Sequence, residues 1–230
     1  MFRNLTLRNK MLVVMLAAAL SAMALMGYLG YESSRASLEK AAFNQLVSIR
    51  ETKRHSIENY FKNIEHELQT LTNSYMVIEA MGDLKSAFAT TSANIPPEEL
   101  TVYKQKLGRY YESEMLPRLN KNLLKPAQMD AYWPKSDATV AMQYHYLANN
   151  LYPTGEKDFM DAAPGNTEYD RTHKRYHEKF RQVIKKFGFY DLFLVDAESG
   201  DIVYTVFKEV DYGTNLLTGP YKNTNIAAAF

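Results

Sequence analysis

Hydrophobic and polar positions follow several distinct rhythms along this chain. Residues 11–31 (MLVVMLAAALSAMALMGYLGY) carry no charge, and a helix of that length matches the ~20 residues that cross ~30 Å of hydrocarbon. Arg3, Arg8 and Lys10 precede the run with no acidic residue among them, whereas Glu32, Arg35, Glu39 and Lys40 follow it in mixed sign. That bias predicts a transmembrane helix with residues 1–10 cytoplasmic and the bulk of the chain on the far side of the membrane. A cleaved secretory signal is the competing reading. A basic start, an apolar run and the triplet Ala22, Met23, Ala24 imitate its three parts, although the run is longer than the usual signal core. Ala18 and Ala22, like Ala17 and Ser21, set small residues four apart, a spacing that lets two such helices approach closely.

After the apolar run the rhythm changes. Leu38, Ala42, Leu46, Ile49, Ile57 and Phe61, continuing through Leu68 to Ile78, recur at steps of three, four or their multiples with polar residues between, which is the pattern of an amphipathic helix. Gly82 is the first glycine after the run and no proline occurs before Pro96. Residues 32–95 therefore read as a stalk helix of ~50 residues, ~75 Å long, and a loop. Gly82 and Asp83 are expected to loosen its end, and TTSANIPP (90–97) is the loop. The stripe breaks at Lys53 and at Asn73 and Ser74, so a strict coiled coil is not implied. The element is either a rod that carries displacement to the membrane or the core helix of a bundle.

Residues 96–187 read as helical. Pro96, Pro97, Glu98 and Glu99 open a helix whose apolar face is Leu100, Tyr103, Leu107, Tyr110 and Tyr111, ending near Pro117. Residues 120–137 are expected to be irregular with a short helical turn, 138–150 helical, the next stretch turn-rich, and 169–187 a last helix. Two β-rich segments then appear, 189–195 (FYDLFLV) and 202–207 (IVYTVF), on either side of a turn at 196–201. A lone hairpin is marginal in water. Residues 188–230 are thus expected to begin a sheet that is incomplete here, and the apolar ending NIAAAF looks cut inside a domain. The fold class is α+β, mostly helical.

Composition narrows the function. Lys and Arg number 27 against 26 Asp and Glu, a formal charge of +1, which offers no field for a nucleic acid or another polyanion. The chain has no cysteine, which removes disulfides, thiolate zinc sites and cysteine nucleophiles. It also lacks a phosphate-binding glycine loop, a nucleophile elbow and a His-Glu-x-x-His run, so neither an enzyme nor a cofactor is expected in this segment.

His173 and His177, four apart on the last helix, align two imidazoles as a metal pair would, with Asp170 or His145 as a third ligand. Arg171, Lys174, Arg175 and Lys179 surround them, so no metal is assigned. A solvated basic helix is the plainer reading, and a carboxylate gripped by Arg175, His177 and a tyrosine lies between the two. Asp191 opens the first strand and Lys208, Glu209 and Asp211 follow the second, where charges either line a pocket or face water. Tyr190 and Tyr204 either direct a hydroxyl into a cavity or pack. The candidate ligand-binding set is Tyr146, Arg175, His177, Tyr190, Asp191, Tyr204, Lys208 and Asp211.

The segment FGFYDLFLVDAESGDIVYTVFKEVDYGTNLLTGPY resembles the extracytoplasmic sensor region of bacterial methyl-accepting chemotaxis proteins, built on PAS-like Cache domains, and of related membrane-bound histidine kinases and cyclases. The likeness takes in the apolar anchor, the stalk KRHSIENYFKNIEHELQTLTNS and the stretch from YLANNLYPTGEKD to YDRTHKRYHEKF, so it covers most of the chain. It implies a ligand-sensing and transmembrane signalling segment of a chemoreceptor, working as a homodimer on a small molecule. A second membrane helix, a HAMP linker and a cytoplasmic output module would follow; none is in this sequence, and the same sensor heads kinases and cyclases. The Arg-x-Trp-Tyr type motif with which many double-Cache receptors hold amino acids is absent. A membrane-anchored structural or adhesion protein is the reading from a different class.

Overall fold

The structure is a computed structural model that describes residues 6–91 and 95–230. Arg3 of the basic flank and residues 92–94 of the expected loop lie outside the described residues. The chain divides into two units after Thr70.

The first unit is formed by one helix, α1, Leu7–Thr72, 66 residues long. The apolar run and the polar stalk are therefore one uninterrupted element, and its apolar stretch is long enough to be a membrane span or a signal sequence. No residue of α1 is buried. Along its polar part Arg35 pairs with Glu39 and Arg54 with Glu58, each at i, i+4 and 3.0 Å, and such pairs add ~0.3–0.5 kcal/mol apiece to an exposed helix. The helix stops earlier than the absence of glycine and proline predicts. Asn73 is a turn and Ser74 is extended, with φ −72° and ψ 130°, at the position where the apolar stripe breaks. Gly82, expected to loosen the end, lies instead within α2, Tyr75–Thr90. There Ala80, Leu84, Ala87 and Phe88 are buried on one face, and their packing outweighs the ~1 kcal/mol a glycine takes from a helix.

In the second unit α3 (Pro97–Tyr110) runs on through a π-helical turn, Tyr111–Met115, into α4, Leu116–Asn120. The expected stop at Pro117 does not occur. The Leu116 N–H reaches back to the Tyr111 carbonyl, and this widened turn places Pro117 in the first turn of α4, where its missing N–H leaves no acceptor stranded. α5 (Asp137–Gln143) is capped by the Ser136 hydroxyl, which accepts from Thr139 N–H at 3.1 Å, and continues as a second π-helical turn, Tyr144–Ala148.

α6, Glu168–Phe187, has the clearest local code. Thr167 and Asp170 form a reciprocal capping box at its start, and Gly188, left-handed at φ 72°, closes its end. Tyr169, His173, Tyr176, His177, Phe180 and Ile184 face the core, while Arg171, Lys174, Arg175 and Lys179 face solvent. The reading of the two histidines as part of a solvated basic helix is corrected: they belong to the buried stripe, on the side of the helix opposite the cations.

β1 (Phe193–Val195) and β2 (Ile202–Thr205) form the expected antiparallel hairpin, pairing Phe193 with Thr205, Leu194 with Tyr204 and Val195 with Ile202. The count slips by one residue between Leu194 and Val195, a bulge. Both strands are shorter than the β-rich segments because Asp191 ends the ladder: its Oδ1 accepts the N–H groups of Val206 at 3.0 Å and Phe207 at 3.2 Å, which a longer β1 would have bonded. On its other edge β2 is covered. Ile202 N–H donates to Thr214 O at 2.8 Å, and Gly213 N–H donates to Ile202 O at 3.1 Å. α7, Asn225–Ala229, is a short final turn. All of β2 is buried, packed against α2 and α6; a second core holds Leu107, Tyr111, Met115 and Val140.

Candidate functional site

The buried face of α6 and the end of β2 meet in a polar centre inside the main core. His177 is 0% exposed. Its Nε2 lies 2.6 Å from the Asp158 carbonyl oxygen, so that nitrogen carries the proton and donates; Nδ1, 2.6 Å from the Tyr204 hydroxyl, then accepts. Burial holds the His177 imidazolium down at about 3, with the Lys208 charge acting in the same direction. His173 stacks on it at 4.4 Å between ring centres. Its Nδ1 is 2.6 Å from Asp161 O and its Nε2 has no partner. Three of the four ring nitrogens are taken, by two carbonyls and a tyrosine, and among the described residues no group of three potential ligands could hold a metal.

Lys208 completes this centre from the loop after β2. It is 0% exposed and adopts φ 56°, a left-handed conformation that costs a non-glycine residue roughly 1–2 kcal/mol. Its own N–H donates to Thr205 Oγ1 at 2.8 Å, holding the bend, and its Nζ lies 3.0 Å from Val206 O and 3.0 Å from His177 Nε2. Burial pushes the ammonium down to about 7, against the opposing pull of Asp158 and Asp191. A second lysine is buried nearby in the sequence's turn-rich stretch. Lys157 is 4% exposed, donates to Leu147 O at 2.8 Å and Tyr152 O at 3.2 Å, and sits 5.2 Å from the centre of the Tyr110 ring. Burial brings it down to about 8.

Both lysines line one cleft of about 290 Å³. Its other polar groups are Arg118, Thr154, Glu209 and Tyr221, and its apolar wall includes Tyr110, Met115, Leu119, Phe207 and Val210. The volume is at the low end of the range for small-molecule sites.

The remaining predicted residues fall into separate places. Tyr190 is 74% exposed and donates to Glu209 Oε1 at 2.9 Å. Asp191 Oδ1 takes three backbone N–H groups, including its neighbour Leu192 at 2.6 Å, while Oδ2 is buried without a partner; burial lifts the carboxyl to about 6. Asp211 Oδ1 is likewise unpartnered, and burial, reinforced by Glu209 and Asp191, lifts that carboxyl to about 7. Arg175 is on the surface, bonded to Asp83 Oδ2 at 2.9 Å. Tyr146 lines a different cavity of about 590 Å³, and its hydroxyl donates to Asp170 Oδ1 at 2.7 Å, bracing the carboxylate that caps α6. The set is thus brought together only in part: His177, Tyr204 and Lys208 form a contiguous chain, with Asp191 bonded to the loop that carries Lys208.

Comparison with protein-family models, with curated proteins and with solved structures finds no match to this chain. The cleft residues that sequence reasoning missed, Tyr110, Arg118, Lys157 and Tyr221, come from four different segments. Lys157 and Tyr221 stand in turn-rich stretches where no periodicity marks the inward side, so nothing local distinguished them.

Proposed function

We propose that this chain is the extracytoplasmic sensing segment of a bacterial chemoreceptor, held in the cell membrane by residues 11–31 with its N-terminus in the cytoplasm. The observation that carries the reading is that one helix, Leu7–Thr72, contains both the membrane-length apolar stretch and the long polar stalk. A tilt or rotation of such a helix outside the membrane is handed directly to the span. The hairpin with its covering helices is read as the start of a PAS-like Cache sheet, and the cleft lined by Lys157 and Lys208 as the seat of a small molecule whose occupancy shifts the balance between two helix arrangements. The exposed apolar side chains of the stalk, Leu46, Ile49, Ile57 and Phe61 among them, support a homodimer along it. The same segment would serve a sensor kinase or cyclase equally well.

Fusions at residue 230 in bacterial cells test the topology. Alkaline phosphatase is expected to be active there and green fluorescent protein dark; the reverse pattern overturns the reading. Because residues 1–230 contain no cysteine, single cysteines at positions 46, 49 and 57 report the dimer cleanly. Oxidation is expected to cross-link these and to spare position 54 on the charged side, whereas uniform or absent cross-linking removes the homodimer.

A further inference from the structure

Charge is distributed unevenly between two concavities of the second unit. The cavity of about 590 Å³ is lined by Glu99, Glu168 and Asp170, with no lysine or arginine among its described lining residues. The cleft of about 290 Å³ is lined by Arg118, Lys157 and Lys208 against a single carboxylate, Glu209. In a chain whose net charge is only +1, this concentration of cations calls for a local reason.

The two lysines are unusual because they are buried without a direct ion pair. Neither is ion-paired among the described residues; each ammonium has two polar neighbours, backbone carbonyls for Lys157 and a carbonyl with a ring nitrogen for Lys208. An ammonium has three N–H groups, and the His177 ring nitrogen gives its own proton to Asp158 O, so each lysine retains at least one donor with no acceptor among the described residues. A buried cation lacking an opposing charge is unfavourable unless something neutralises it. Glu209 is the wall's own carboxylate, and its Oε1 is already engaged by Tyr190. Arg118, half exposed and paired with Glu114 at 3.2 Å, adds a planar donor fork at the same wall. The remainder of the wall is apolar or aromatic, with Tyr110, Met115, Leu119 and Phe207 leaving room for a hydrocarbon body.

We propose that this cleft binds a small organic carboxylate, its acid group held by Lys157, Lys208 and Arg118 and its apolar body packed on Tyr110, Met115 and Phe207. The inference rests on the reading of the cleft as the ligand seat and adds the chemical class to it. Charge-assisted hydrogen bonds to buried ammonium groups supply the affinity, and the small volume limits the body to about one ring or a short chain. The carboxylate would place a negative charge in direct contact with the two lysines, where the fold supplies Asp158, Asp191 and Glu114 only at longer range.

The test uses the full chain in nanodiscs with benzoate, phenylacetate and hexanoate as probes, against benzamide, phenylacetamide, hexanamide and phenethylamine. Thermal melts and calorimetric titration are expected to show binding by at least one acid, with its matched amide and the amine silent. Arg118→Gln and Lys157→Met are each expected to weaken that acid by about tenfold or more, the loss of one hydrogen bond to a charged group. Arg118→Gln alters a half-exposed side chain, so it remains readable if Lys157→Met does not fold. Binding of an amide or of phenethylamine at least as tight as the acid, lost on Tyr110→Ala, overturns the carboxylate while leaving the ligand seat in place. Acid binding that both variants leave unchanged overturns the assignment to this cleft. No binding by any probe overturns both the carboxylate and the seat.

Discussion

Lys208 Nζ stands 3.0 Å from His177 Nε2, the same ring nitrogen that stands 2.6 Å from the Asp158 carbonyl oxygen. That nitrogen cannot donate to the carbonyl and accept from an ammonium at once. Lys208 Nζ therefore donates to Val206 O at 3.0 Å and not to the ring, and burial in this crowded spot pushes the ammonium down to about 7.

Stability is expected to rise with pH between 7 and 9. In the unfolded chain a lysine stays protonated to about 10.4, whereas Lys208 and Lys157 lose their protons near 7 and 8 when folded. The unfolded state then binds more protons in this window, so raising the pH favours folding, by up to ~1.4 kcal/mol per pH unit for each fully released proton. The advantage is lost as pH falls toward 7. The charges facing Lys208 are those of Asp158, Asp191, Arg181 and Asp161, and the Asp191 and Asp211 carboxyls, lifted to about 6 and about 7, offset part of the rise near pH 7 as they lose their protons. Denaturant titrations at pH 7, 8 and 9 check the slope, and Lys208→Met is expected to flatten it; an unchanged slope in that variant refutes the assignment.

Asp191→Ala is expected to destabilise the second unit by about 2–4 kcal/mol, since one carboxylate oxygen serves the N–H groups of Leu192, Val206 and Phe207. Urea unfolding of the variant measures it. A loss under 0.5 kcal/mol would mean that water replaces the carboxylate freely.

Thr167→Ala removes the hydroxyl that accepts the Asp170 N–H at 3.1 Å and should cost about 1 kcal/mol. Tyr146→Phe deletes the 2.7 Å bond to the same carboxylate and is expected to cost a similar amount, with less than the sum in the double variant because both act on Asp170. Additive losses would show the two contacts to be independent.

Arg175→Ala is expected to be nearly silent. Its ion pair with Asp83 joins two side chains that are 62% and 38% exposed, and such pairs contribute ~0–1 kcal/mol. The melting temperature should move by less than a few degrees and the affinity for any cleft ligand should not move at all. A lost ligand response would place Arg175 in the site after all.

What the sequence made legible was whatever a periodic pattern or a cap could write. The last helix, the hairpin turn and the helix of the apolar run are all local signals, and each appears where the residues point. The stop at Asn73 was visible as a break in the stripe but was outranked by the wrong criterion, the first glycine; Gly82 stays helical because its neighbours are buried. Pro117 misled for a comparable reason, as the π-helical turn before it is a backbone adjustment with no residue signature. The site was less readable. His177 and Tyr204 were singled out, yet their environment depends on which face of α6 is buried, and the surrounding cations concealed that face. Lys157 becomes a buried cation only through carbonyls of Leu147 and Tyr152, contacts that spacing along the chain does not encode.

The length of α1 carries its own mechanical consequence. At 1.5 Å per residue its 66 residues extend ~100 Å, of which a bilayer's hydrocarbon would enclose ~30 Å. Gripped there, the helix is a lever with arms of unequal length: a lean of about 5° at the lipid would sweep the distant end sideways by roughly 5 Å, from the same rise per residue. On the proposed membrane reading, that gearing run in the opposite direction would turn a movement the size of a side chain into a reorientation of the span by only a few degrees.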